Sequence, residues 1–226
     1  MGTGKTMKLQ RDVVIRTALD LLDEVGIDGL STRRLAERLG VQSPALYWHF
    51  RNKRALLDAM AAAMMEEAGM QRPVEPGTDW RTWIAGDARR FRRALLSRRD
   101  GARLHAGTRP EPAEFAAVES ETALLCAAGL SPADALRAQI AIGRYVVGWA
   151  LEEQADAADA GEREGERMAA ADLAAYPTLA EGMAAVRDAD PDAAFDHGLA
   201  LLLDGIAARM MGQGRRDGER TSQPKE

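Results

Sequence analysis

The residues whose types and spacing carry the clearest chemistry lie between Leu30 and Arg54. Arg33, Arg34, Arg38, Arg51, Lys53 and Arg54 stand against one carboxylate, Glu37, so this stretch carries +5 while the whole chain carries −5. Among these cations lie Gln42, Ser43, Pro44, Ala45, Tyr47, Trp48 and His49. A glutamine amide can pair bidentately with adenine, proline and alanine can touch a thymine methyl, and Tyr47 and His49 can reach phosphates. An arginine such as Arg33 can fork onto a guanine edge. Lys53, at a helix start, would add charge to backbone amides already suited to phosphate. A cationic stretch on an acidic remainder is an electrostatic footprint for nucleic acid. A solvated helix face gives the same charge count, and Tyr47 and Trp48 also fit as core aromatics; Trp48 is expected to pack in part, while Tyr47 and His49, beside four cationic neighbours, are expected to be exposed.

Helices must position these groups. Val14, Ala18, Leu21, Leu22 and Val25 form one apolar stripe at helical spacing, which Gly26 ends. Ser31 is placed to cap a short helix from Thr32 to Leu39 whose Leu35, Ala36 and Leu39 face inward. Gly40-Val41-Gln42 turns the chain. A second short helix is expected to follow, with Ser43 as N-cap and Pro44 at its first position, where a missing N–H costs nothing. Asn52 or Lys53 opens a longer helix bearing Leu56, Leu57, Met60 and Met64. Two short helices joined by so brief a turn have the size and spacing of a helix-turn-helix, whose second helix offers its first residues to base edges.

Pro73, Pro76 and Gly77 mark the first break, and the helices then lengthen, over Trp80 to Arg98, Pro112 to Ala128 and Pro132 to Glu153. Ala155 to Ala175 reads as a mobile loop, and Phe195, Leu199, Leu202, Ile206 and Met210 form a last stripe. Gln139 to Leu151 is apolar on more than one side, so it is either the centre of the core or has one face against a second copy. With the last stripe it could build a four-helix bundle across a two-fold axis. The expected fold class is therefore all-α. It comprises a three-helix DNA-binding domain over 1–68, a larger helical core over 69–211, and a disordered polar tail over 212–226.

Composition excludes little but points one way. At 46% hydrophobic and 29% charged the chain can bury a core. It has no apolar run of membrane-spanning length. A single cysteine, Cys126, cannot form an intrachain disulfide, which suits a cytoplasmic setting. With only His49, His105 and His197 beside that cysteine, no nucleophile–base pair declares itself, and no enzyme is expected. His105 with Glu152 is thin for a hydrolytic metal site.

The run Ser31-Thr32-Arg33-Arg34-Leu35-Ala36-Glu37-Arg38-Leu39-Gly40-Val41, followed by Pro44-Ala45-Leu46-Tyr47-Trp48-His49-Phe50, resembles the DNA-binding domain of the tetracycline repressor family. Asn52-Lys53-Arg54-Ala55-Leu56-Leu57-Asp58 continues the likeness. The resemblance implies base and phosphate contacts at Thr32, Arg33, Gln42, Pro44, Tyr47, Trp48, His49 and Lys53. Ser43 and Ala45 stand where drug-responsive members carry a base-reading glutamine and a threonine, which implies a different operator sequence. A second block, Ala94-Leu95-Leu96-Ser97-Arg98-Arg99-Asp100-Gly101-Ala102 with His105 and Gly107-Thr108-Arg109-Pro110, is similar to the effector-binding core of those members. So are Gly148 and Leu151-Glu152-Glu153-Gln154.

There a magnesium ion chelated by the drug is held by a histidine and, through water, by a glutamate. These match His105 and Glu152. Phe91, Thr108, Arg109 and Pro110 also match pocket positions, and Arg144 is a further candidate. The anchors of the drug's far end fall on Gly69 and Asp87, and a pocket glutamine falls on Glu121. The resemblance thus implies a ligand-responsive regulator, in most of the family a repressor, that binds an operator as a homodimer. A small-molecule effector, chelating or polycyclic and different from tetracycline itself, would release it. DNA binding itself needs no cofactor. The alternative reading is a helical small-molecule-binding protein without operator binding. From residues alone, His105 also fits as a satisfied helix-end histidine with no metal.

Overall fold

The computed structural model describes residues 9–108, 112–159, 175–186 and 190–221, and among them every regular element is helical. In chain order these are α1 (Arg11–Gly29), α2 (Thr32–Leu39), a 3-10 helix (Ser43–Trp48), α3 (Lys53–Glu67), α4 (Trp80–Leu96) and α5 (Gly101–His105). A 3-10 turn (Pro112–Glu114) follows, then α6 (Phe115–Ala127), α7 (Pro132–Asp159), α8 (Pro177–Val186) and α9 (Pro191–Thr221).

The chain divides into two compact units. The first joins Met1–Arg72 to Arg89–Phe115, and the second joins Pro73–Ala88 to Ala116–Glu226. The expected boundary at 68 therefore falls close to the first crossing. The first unit also recruits Arg89–Phe115, a stretch expected in the larger helical core.

In the first unit α1 packs on α2 and α3, α2 packs on the 3-10 helix, and α3 packs on α5. Val14, Ala18, Leu19 and Leu22 of α1 are fully buried, with Leu35 of α2 and Met60 of α3. Removing that apolar surface from water is the main drive for folding. Ser31 caps α2 as expected, its hydroxyl accepting from the Arg34 N–H at 3.2 Å. Gly40 ends α2 in the left-handed region at φ 66°, which lets its N–H reach back to the Ala36 and Glu37 carbonyls. Asn52 caps α3, accepting from the Ala55 N–H at 2.8 Å.

Gly26 sits inside α1 with φ 70° and ψ 173°, so the helix is broken at the expected residue and resumes for a short stretch to Gly29. The second helix of the helix-turn-helix differs from expectation. It is 3-10 in form, and Gln42, not Ser43, is its N-cap residue, with no side-chain cap bond. Pro44 explains part of this: it supplies no N–H, and the Ala45 N–H bonds the Gln42 carbonyl at 2.8 Å in the tighter three-residue pattern.

In the second unit α7 packs on α9. Tyr145, Trp149 and Phe195 cluster with ring centroids 5.3–5.8 Å apart, and the Tyr145 hydroxyl donates to the Phe195 carbonyl at 2.7 Å. Val146, Ala150, Phe195 and Leu199 are buried, while Leu136 and Ile140 of α7 and Leu201 of α9 are exposed. Helix α7 extends to Asp159, into the expected loop, whose residues 160–174 lie outside the described set. Helix α9 runs on to Thr221, so the tail expected to be disordered from Gly212 is helical for most of its length. Its Gln, Arg and Glu residues are good helix formers, and the preceding turns provide the costly nucleus.

Candidate functional site

Helix α2, the 3-10 helix and the start of α3 hold the candidate nucleic-acid contacts. Leu35 and Ala36 point into the core, which turns Arg33, Arg34, Glu37 and Arg38 outward. Leu46 anchors the 3-10 helix and leaves Gln42, Pro44, Tyr47 and Trp48 exposed, with Thr32, Ser43, Ala45 and His49 half-buried. Trp48 is 89% exposed and Tyr47 55%, so neither is a core aromatic and the partial packing expected of Trp48 does not occur. The 3-10 pitch aims both rings outward, where two large aromatic faces in water await a partner. Ser43 spends nothing on a cap, since the backbone of Gln42 takes that position.

Charge alone overstates the free cations. The Arg34 Nη1 donates to the Gly29 carbonyl at 3.0 Å, and Arg38 pairs with Glu24. That pairing holds the Glu24 carboxyl below its usual range, chiefly through the hydrogen bond from Arg38. The Lys53 Nζ donates to the Leu30 carbonyl at 2.8 Å, and Arg54 pairs with Asp58 at 2.8 Å and reaches the Gly107 carbonyl at 2.9 Å. Arg33 pairs through Nε with Glu37 at 2.9 Å. Arg51 is exposed and has no partner among the described residues.

The candidate effector residues fall in both units. In the first, His105 is half-buried at the end of α5 and meets Phe91 edge-on, centroids 5.0 Å apart and planes at 75°. Its Nδ1 is buried with no hydrogen-bond partner among the described residues. Burial lowers the imidazole pKa, which keeps the ring neutral at pH 7. A neutral imidazole with an unspent buried nitrogen has the chemistry of a metal or ligand donor, and no group of three or more His, Cys, Asp or Glu gathers around a metal position among the described residues. Thr108 closes the following turn, its hydroxyl donating to the His105 carbonyl at 2.8 Å. Arg109 and Pro110 lie outside the described residues. Gly69 sits in the left-handed region at φ 67° just after α3.

In the second unit Asp87 and Glu121 are both half-buried. Burial, and then the nearby Asp87 charge, push Glu121 up to about 7. Arg144 and Glu152 share the exposed side of α7 two turns apart.

A set of ties within the first unit has no signature in the sequence. The Asp100 carboxylate accepts the Ile27 N–H at 2.8 Å. Arg98 bridges Asp23 at 2.9 Å and Glu67 at 3.0 Å, and Arg103 forks onto Asp28 at 2.9 and 3.0 Å. The Arg99 N–H donates to Asp23 at 2.9 Å. These ties join the segment ending in His105 to α1 and α3. Each partner lies tens of residues away along the chain, so spacing gave no signal of them.

Residues 14–60 match the family described as bacterial regulatory proteins, tetR family, and residues 72–210 match the tetracyclin repressor-like C-terminal domain. The chain belongs to the tetracycline repressor family. It is 53% identical to the tetracycline repressor protein class A from transposon 1721 of Escherichia coli over 204 residues, covering 90% of this chain and 93% of that one. It is 51% identical to the Escherichia coli class C repressor over 199 residues, covering 88% and 91%.

Two similar solved structures hold ligands. One is a variant of TetR from Acinetobacter baumannii AYE in complex with minocycline (TM-score 0.74, 45% identity, 90% and 99% coverage). The other is TetR class A in complex with 5a,6-anhydrotetracycline and magnesium (TM-score 0.70, 46% identity, 88% and 99% coverage). As a family member the chain is a ligand-responsive, DNA-binding transcriptional regulator and not an enzyme. No described helix is long and apolar enough to cross a membrane.

Proposed function

We propose that this regulator grips its operator as a cytoplasmic homodimer and is released by a polycyclic, metal-chelating effector that binds with magnesium. The observation that carries the effector reading is His105: a neutral imidazole, half-buried against Phe91, with a buried nitrogen left unspent. Magnesium takes oxygen ligands readily and keeps several waters, so one nitrogen and few protein groups suffice when the ligand supplies its own oxygens. His105 would hold the metal directly, and Glu152, by family correspondence, through water. The ion would supply charge to organise the effector's oxygens. Asp87, Phe91, Thr108, Arg109, Pro110, Glu121 and Arg144 would contact the organic part. Glu121 brings a carboxyl group where tetracycline-binding members offer a glutamine, and Gly69 and Asp87 replace the anchors of the drug's far end, which favours an effector other than tetracycline.

On the DNA side, Arg33, Gln42, Ser43, Pro44 and Ala45 would read bases, while Thr32, Tyr47, Trp48, His49 and Lys53 would set the docking on the backbone. Two such elements must lie about 34–36 Å apart to enter successive major grooves. An effector that binds one spacing better than the other shifts the population toward it. The ties from Asp100, Arg98 and Arg103 to Ile27, Asp23 and Asp28 give the His105 segment a mechanical hold on α1. A displacement of α5 would therefore reach the helix-turn-helix through α1, which packs on α2. The exposed Leu136, Ile140 and Leu201 provide the apolar face that a second copy would cover.

Titration calorimetry with 5a,6-anhydrotetracycline, with and without magnesium, tests the effector reading on wild type and His105→Ala. Binding that needs magnesium and weakens about tenfold or more in the variant supports it. Equal, metal-independent binding to both proteins would overturn the metal role.

A further inference from the structure

We propose that Glu37 is a specificity-determining residue that positions Arg33 for base reading, an inference that rests on the DNA-binding function argued above. The pair is the 2.9 Å contact from Arg33 Nε to Glu37 Oε1 on the outer face of α2, with side chains 86% and 61% exposed. Helix stability does not account for it. Arg33 lies near the N-terminus of α2 and Glu37 near its C-terminus, so each charge opposes the helix dipole, and the order is the weaker of the two i,i+4 arrangements. Phosphate attraction does not account for it either. Glu37 is the one carboxylate between Leu30 and Arg54, and a negative charge on a surface that meets phosphates costs affinity.

What the contact does is restrict Arg33. With Nε engaged, the side-on fork that uses Nε is closed, and only the end-on pair of Nη groups remains to meet the O6 and N7 of a guanine. A long side chain with many rotamers is thereby biased toward one reading pose before DNA arrives, which lowers the ordering cost of the contact. The other cations of α2 have different tasks, Arg34 on the Gly29 carbonyl and Arg38 on Glu24. Glu37 therefore exchanges general attraction for selectivity at one base pair.

The test begins with an operator selected from a random duplex pool by the full-length protein. Its affinity, and that of every single-base variant and of a scrambled duplex, is then measured by fluorescence anisotropy. The proteins are wild type, Arg33→Ala, Glu37→Ala, Glu37→Gln and the Arg33→Ala/Glu37→Ala double variant. Circular dichroism confirms that each is folded.

Glu37→Ala is expected to bind the scrambled duplex several-fold more tightly. It should also lose about tenfold discrimination at the same base pair that Arg33→Ala flattens. Glu37→Gln keeps an acceptor for Nε, so it should gain the same non-specific affinity yet retain the discrimination, and the double variant should discriminate as Arg33→Ala does. Unchanged discrimination by Glu37→Ala, or a loss at a different base pair, overturns the role of Glu37 while leaving the regulator intact. Failure of the wild type to enrich any sequence overturns the DNA-binding reading and this inference with it.

Discussion

The Asp100 carboxylate accepts the backbone N–H of Ile27 at 2.8 Å, across 73 residues of chain and at the point where Gly26 takes α1 out of helical geometry. Asp100 itself sits at φ 56°, a region that aspartate and asparagine tolerate better than most residues. Asp100→Ala should cost about 1–3 kcal/mol of stability, because it strands the Ile27 N–H and strains the backbone. Asp100→Asn keeps an acceptor and should lose less. Hydrogen exchange at the Ile27 amide, faster in the alanine variant and near wild type in the asparagine variant, checks the assignment independently of melting temperature.

A side chain at 26 is excluded twice over. A Cβ there would lie 2.9 Å from Asp100 Oδ2, and φ is 70°. Gly26→Ala should therefore destabilise by about 1–3 kcal/mol. Thermal denaturation measures this, and a neutral result would mean that the kink and its carboxylate are not coupled.

Trp48 is 89% exposed, so Trp48→Ala should leave the melting temperature within a degree or two. If the ring lies on the operator backbone, the same change should weaken binding to every operator variant alike. An anisotropy series that shows altered preference at a single base instead would move Trp48 from docking to reading.

The engaged and unengaged cations differ in what salt titration should reveal. Arg51 has no partner among the described residues, whereas Arg34 is spent on the Gly29 carbonyl. Arg51→Ala should lower the slope of log affinity against log salt by about 1, and Arg34→Ala should lower it by less. Equal slopes for both variants would show that the contacts of Arg34 are given up on DNA.

Glu121 gives the protein a pH signature. Its carboxyl is raised from 4.5 to about 7, by burial first and the Asp87 charge second. The group binds its proton more tightly folded than unfolded. Its contribution to stability is therefore fully present below about pH 4.5 and is lost as pH rises through 7. Glu121→Gln removes the titration. The variant should gain stability over wild type between pH 5 and 8, by up to about 3 kcal/mol. Denaturant melts of the two proteins across that range measure the gap, and a constant gap would mean that Glu121 is solvated.

Local rules account for what was legible. Ser31, Gly40 and Asn52 punctuate the helix-turn-helix through side chains and backbone within a few residues, so sequence showed the Ser31 cap and the turn and placed the start of α3 at Asn52 or Lys53. The outward Tyr47 followed from its cationic neighbours. The 3-10 form of the second helix was not readable, because Ser43-Pro44 is as good a start for one helix type as for the other. Asp100, Arg98 and Arg103 passed unnoticed because their partners are brought to them by packing, not by spacing. Helix α8 went unread as well: Leu179, Met183 and Val186 recur at helical spacing, but over one short stretch, and none of its residues is buried.

The uncovered stripe of Leu136, Ile140 and Leu201 also bears on how this switch is set in a cell. If two copies must meet over that stripe before an operator is gripped, occupancy below the dimerisation constant grows with the square of the amount of chain. Halving expression would then cut binding fourfold. The gene would pass from shut to open over a narrow range of protein abundance, before any effector arrives.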